Sequence, residues 1–170
     1  LNVVMHLSHV GACTGRDHFT GWSLDWISLA MGYLPYLDHF YAPSDARAAF
    51  VAVKDAAARY GGHIVAIPRD SLPILADADG NALWNADSDW EAVTQFVKSD
   101  GAKHAILAMG APAYLGGEAA AQLSANGMPV DVYVVNGLPL PDDFLPGIFE
   151  KYSGGVVTIE DGIIATRATG

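Results

Sequence analysis

The chain has 170 residues, of which 51% are hydrophobic and 16% charged, and its net charge is −10. That apolar content excludes a disordered chain, and the acidic balance argues against nucleic acid as a partner, because phosphodiester backbones are repelled. The single cysteine, Cys13, excludes an internal disulfide scaffold.

Residues 2–7 read as a buried strand. Residues 8–21 form a long loop rich in Gly, Thr and Asp, and Ser23 is a plausible N-cap for a helix over 24–31. A short strand is expected over 38–42. Ser44 then caps a second helix, in which Ala46, Ala49, Phe50, Val53, Ala57 and Tyr60 recur at helical spacing until Gly61-Gly62 stops it. Residues 63–67 are a buried strand. Near 72–84 the composition shifts, and Asp77-Ala78-Asp79-Gly80-Asn81 reads as a hairpin or linker. A helix is expected over 89–98. Strand 105–109, helix 114–125, strand 130–135, helix 142–151 and strand 156–159 follow, with Asn126-Gly127 ending the penultimate helix. The alternation predicts an α/β fold built of two small parallel-sheet units in α/β/α layers, with a boundary near residue 76.

No apolar run approaches the roughly 18–20 residues that span a bilayer, and the longest, 105–115, is broken by Gly110 and Pro112. The first residues carry neither an initiator Met nor a basic leader, and residues 3–7 already look like mid-sheet strand. Both ends are therefore expected to be cut, and the compartment to be the cytoplasm.

The loop after the first strand packs His9, Arg16, Asp17 and His18 among small residues. Parallel sheets gather ligands at the carboxyl ends of their strands, so this loop is either a functional loop or an ordinary polar surface loop. Arg69 follows another strand and reaches the same edge. It either meets an anionic group together with His9 or pairs with Asp70 or Asp17. Three other signals fail. The histidines lack metal-ligand spacing. Asp77, Asp79 and Asn81 lack the later Gly and Glu of a calcium loop. No phosphate-loop glycine pattern is present. Trp22, Trp26, Trp84 and Trp90 read as core or interface.

In order, Ser8-His9, Gly15-Arg16-Asp17-His18-Phe19-Thr20, Leu34-Pro35-Tyr36, Pro43-Ser44-Asp45-Ala46 and Ile67-Pro68-Arg69 resemble transketolase, in the second half of its pyrimidine-binding domain. Leu138-Pro139-Leu140 and Val156-Val157-Thr158-Ile159-Glu160-Asp161-Gly162 resemble its C-terminal domain. The resemblance implies residues 1–75 as part of the first domain and 76–170 as part of the second, both incomplete. It implies a two-carbon ketol transfer between phosphosugars through thiamine diphosphate and Mg²⁺. In that family His9 and Arg69 match positions that hold the substrate's phosphate, and Asp17 matches one that bonds a sugar hydroxyl. The family's substrate-binding histidine falls on Gly21 here, and His18 is the substitute within reach. The resemblance also places the cofactor-protonating glutamate and the metal ligands outside this chain. Alone, the chain is then expected to bind no cofactor and to be inactive. Its partners are a phosphosugar and the remaining transketolase domains or a diphosphate-binding subunit, in a dimer or other homo-oligomer. Two alternatives stand: a relative of the 2-oxoacid dehydrogenase β subunit or deoxyxylulose-phosphate synthase, and a non-catalytic assembly module.

Overall fold

A computed structural model describes residues 2–8 and 36–160. The described elements are β1 (Asn2–Ser8), β2 (Leu37–Tyr41), α1 (Ala46–Ala58), β3 (Gly61–Ile67), β4 (Val93–Val97), β5 (His104–Met109), α2 (Ala113–Ala125), β6 (Val130–Val135), β7 (Gly137–Leu138), α3 (Phe144–Lys151) and β8 (Gly155–Ile159). They form two four-stranded sheets, ordered β1-β3-β2-β7 and β4-β6-β5-β8. The α/β class is as expected, but neither sheet is purely parallel. β7 runs antiparallel to β2, and β4 antiparallel to β6. β7 has only two residues, yet it adds the later part of the chain to the first sheet, with Phe40 opposite Leu138.

The helix expected over 89–98 is instead strand β4 with its lead-in. Trp90, Val93 and Val97 have helical spacing, but Val93, Thr94 and Val97 are β-branched, and β6 pairs with them antiparallel, with a register shift between Gln95 and Val97. The expected buried strand at the start is a strand but is largely exposed. Among the described strands β1 stands last in its sheet, and Val3, Val4 and Met5 are 48%, 42% and 45% exposed. An all-apolar run signals a strand covered on both faces; among the described residues only β3 pairs with it. The helix expected over 24–31 lies outside the described residues.

In α1 the cap is Asp45, not Ser44. The Asp45 carboxylate accepts the Ala48 N–H at 2.8 Å, while the Ser44 hydroxyl is buried without a partner among the described residues. The face α1 buries is also not its bulky one. Ala48, Val51, Ala52 and Ala56 turn inward, while Phe50 and Val53 stay 56% and 46% exposed. Small side chains are what let the helix approach a sheet face that already carries Tyr41 and His63. At the other end the chain re-enters the sheet through Gly61, whose φ of +124° favours glycine and whose missing Cβ leaves room for the Asp38 carboxylate.

The main core joins α1 and the connecting segment to the second sheet and α2. Ala48 and Val51 of α1, Leu75 and Trp84 of the connection, Ala113 and Ala120 of α2, and Ile106, Ala108, Val132 and Val134 of the second sheet form one buried cluster. On the opposite face of β5, Ala105 and Leu107 pack with Ile148 and Tyr152, so the second sheet lies between α2 and α3. The connection is pinned by a turn in which Asp77 accepts the N–H groups of Asp79 and Asn81. Those bonds, that of Asn81 first, hold the Asp77 carboxyl below its ordinary pKa.

Candidate functional site

β1, β2 and β3 are mutually parallel, and Ser8 stands opposite Ile67 in register. β1 and β3 therefore leave the first sheet at one edge, and α1 begins there after β2. Loops at this edge are where an α/β sheet presents ligand-binding groups. A cavity of about 300 Å³ opens at the edge, lined by Pro43, Asp45, Ala46 and Ala49 from the start of α1 and by Ile67, Pro68, Asp70, Ser71 and Leu72 after β3. Arg69 is exposed in the same segment, two residues past the end of β3. The described lining brings two acids, Asp45 and Asp70, and no base. Asp45 is committed: its second oxygen accepts the buried Leu75 N–H at 2.8 Å. Among the described residues that follow β3, Arg69 is the cation placed at this edge. His9, Asp17 and His18 lie outside the described residues.

A second cluster sits deeper, between the first sheet and Trp90. It was not legible in the sequence. His39 and Tyr41 point to one side of β2, His63 on β3 packs against both of them, and the His39 and Tyr41 rings meet the Trp90 indole. Ring centroids are 5.7 Å apart for His39–His63, 5.6 Å for His39–Trp90 and 4.9 Å for Tyr41–Trp90. Tyr41 Oη donates to Asp55 at 2.8 Å, and Asp55 also takes Arg59, whose guanidinium lies 5.7 Å over the Trp90 ring. Burial, then the bond to Asp55, pushes the Tyr41 phenol well above its ordinary pKa. The Asp55 bond likewise raises Arg59. Burial first, then the charges of Arg59 and His63, hold His39 below the ordinary histidine value despite Asp55 and Asp38. The clue available in the sequence was the alternation His39-Phe40-Tyr41, which puts two polar aromatic rings on one face of a strand.

In the second sheet Asp131, 3% exposed, accepts from Tyr152 Oη, the Ser99 N–H, Gln95 and Lys151. Burial raises its pKa, but the donors, Tyr152 first, outweigh that and hold it below the ordinary value. Burial and Asp131 push Tyr152 far up. A hydrogen bond to Tyr133, foremost, raises Lys151. With every oxygen committed, this network ties β4, β6 and α3 together and is structural.

The comparison with solved structures decides the fold. A split-gene transketolase, an inactive β4 tetramer, superposes with a TM-score of 0.73 over 95% of this chain at 24% identity. The fold is that of transketolase. The enzymes of Leishmania mexicana and Campylobacter jejuni superpose with TM-scores of 0.68 and 0.67, both at 17% identity, over 92% and 94% of the chain. The transketolase-like segment spans 49% of the split-gene chain and 22–24% of the other two. No protein-family model and no curated protein matches the sequence. No described helix is long and apolar enough to cross a membrane. Among the described residues no group of three His, Cys, Asp or Glu can hold a metal ion.

Proposed function

We propose that the chain is a segment of a transketolase-like transferase that moves two-carbon ketol units between phosphosugars, and that it is inactive alone. The observation that carries the reading is the fold correspondence along 95% of the chain. Residues 1–75 are assigned to the pyrimidine-binding domain and 76–170 to the C-terminal domain. Arg69, with His9, takes the substrate's phosphate; Asp17 bonds a sugar hydroxyl, and His18 stands in for the histidine replaced by Gly21. Support for Arg69 comes from its position past β3, on the edge where a parallel sheet collects ligands. In a chain of net charge −10, an anionic substrate needs such a local cation. Solved transketolases of this fold carry fructose 6-phosphate, sedoheptulose 7-phosphate and xylulose 5-phosphate, all sugar phosphates.

Thiamine diphosphate, when bound, supplies the electron sink for ketol transfer. Following the resemblance, the ligands of its metal are assigned to other domains of the parent or to a diphosphate-binding subunit. A cytoplasmic homo-oligomer completes the reading, supported by the tetramer that the split-gene relative forms. Gly21 favours a second reading, a relative of the 2-oxoacid dehydrogenase β subunit or of deoxyxylulose-phosphate synthase, because an imidazole donor is lost there.

Ketol transfer from xylulose 5-phosphate to an aldose phosphate, with thiamine diphosphate and Mg²⁺, tests the proposal. The 170-residue chain alone should show none, and the protein isolated natively with its remaining domains or partner chain should show turnover. A native protein that decarboxylates 2-oxoacids instead favours the second reading. A native oligomer of this chain only, inactive in both assays, makes it an assembly module.

A further inference from the structure

We propose that a cavity in the second sheet, between the start of β4 and the start of α3, binds a small organic cation: an ammonium group carried on an apolar body. The cavity has a volume of about 390 Å³, a size that suits a small molecule. Glu91, Val93 and Gln95 line it from the β4 side, Tyr133 from β6, and Pro141 and Phe144 from the start of α3. Gln95 and Tyr133 stand opposite each other in register, so they share one face of the sheet. α3 covers the same face through Ile148 and Tyr152, and the cavity is the space between that helix and β4.

The lining states what kind of ligand fits. The Tyr133 and Phe144 rings meet edge to face, with centroids 6.0 Å apart and planes at 70°, and make an aromatic corner. Val93 and Pro141 add aliphatic surface. Such a corner takes an apolar body, and its ring faces attract positive charge. The polar lining consists of acceptors. Glu91 brings a carboxylate. The Gln95 amide nitrogen donates to Asp131 at 3.2 Å, which leaves its oxygen to accept. The Tyr133 hydroxyl is taken by Lys151 at 3.0 Å and Tyr152 at 2.8 Å. Among the described residues no Lys, Arg or His lines the cavity; Lys151 meets Tyr133 only at its hydroxyl end and is bound to Asp131 at 3.3 Å. A ligand must therefore bring the donors, and a positive charge on them matches Glu91. An anion finds no counterpart here. The walls are also held in place before any ligand arrives, which lowers the ordering cost of binding. The Asn136 side-chain amide donates to the Glu91 carbonyl at 3.0 Å, and the Asn136 N–H donates to the Ala92 carbonyl at 2.8 Å. Phe144 packs against the Leu107–Tyr152 cluster. None of these residues enters the phosphosugar reading, so the proposal does not depend on it.

Amide resonances of the whole chain, followed near neutral pH while three probes of one shape are added, test it. The probes are benzylamine, a cation; benzyl alcohol, neutral; and benzoate, an anion. Benzylamine should shift the amides of 91–95 and 142–144 and bind about three- to ten-fold more tightly than benzyl alcohol. Benzoate should shift neither segment. Glu91→Gln should bring benzylamine down to the affinity of benzyl alcohol, and because Asn136 bonds the Glu91 backbone, the fold should survive the change. Phe144→Leu should weaken benzylamine and benzyl alcohol alike; if that variant does not fold, Glu91→Gln decides alone. The proposal is overturned if benzylamine at about 10 mM leaves both segments unshifted, if the three probes bind equally, or if Glu91→Gln binds benzylamine as the unaltered chain does.

Discussion

Asp45 is where one side chain holds two parts of the fold, so its removal has a calculable cost. Its carboxylate is 4% exposed, and it accepts the Ala48 N–H in the first turn of α1 and the Leu75 N–H of the connecting segment, each at 2.8 Å. In Asp45→Ala the lost helix cap costs about 1 kcal/mol. The Leu75 amide, buried and stripped of its acceptor, adds about 1–3 kcal/mol. The total of about 2–4 kcal/mol lowers the urea midpoint by about 1–2 M, for an m-value of about 2 kcal/mol/M. Asp45→Asn separates the two contributions. Its amide oxygen can still cap Ala48, but its NH₂ then faces the Leu75 N–H, so about half the loss should appear. Equilibrium urea unfolding followed by circular dichroism measures both variants. An alanine variant within about 0.5 kcal/mol of the unaltered chain, or an asparagine variant as damaged as the alanine, refutes the reasoning.

Asp131→Asn should cost about 1.5–3 kcal/mol at pH 7, because hydrogen bonds to a buried carboxylate are lost. Its folded pKa lies below the ordinary 3.8, so the stability it contributes is present above that value and fades as pH falls through it toward the folded one. Thermal melts from pH 7 to pH 3 should show the gap between the two proteins closing below about pH 4; a gap constant with pH contradicts the assignment. Gly61→Ala should lower the melting temperature, because a Cβ there meets the Asp38 carboxylate at a φ of +124°; an unchanged melting temperature would show that Asp38 is dispensable. Met5→Lys, on the strand that stands last among those described, should reduce self-association seen by light scattering while leaving the fold intact. Equal association in both proteins would mean that the edge is not the contact.

Much of the fold was legible because its signals are local. The apolar runs of β3, β5 and β6, the alanine-rich α1 and the Asn126-Gly127 stop of α2 each announce themselves in a few residues. What was not legible depends on partners distant in sequence. β4 carries a helix-like spacing, and pairing with β6 overrides it. β7 is too short for any periodicity and exists because Phe40 and Tyr41 offer it an edge. Ser44 and Asp45 are both good caps, and Asp45 has a second oxygen for Leu75, a contact 30 positions away. The His39–His63 pair is set by strand register, which no single segment encodes. At the candidate substrate edge, Arg69 was found by its place after a strand, and the cavity beside it was not foreseen.

The most direct test of the central claim is the effect of Arg69→Gln on ketol transfer by the natively isolated protein. Loss of a charge-assisted contact of about 1.5–3 kcal/mol to a phosphate predicts a KM for the phosphosugar raised about ten- to a hundred-fold. It also predicts kcat within a few-fold of the unaltered enzyme and an unchanged response to a sugar lacking phosphate. An unchanged KM would contradict the account, because Arg69 would then not hold the substrate's phosphate.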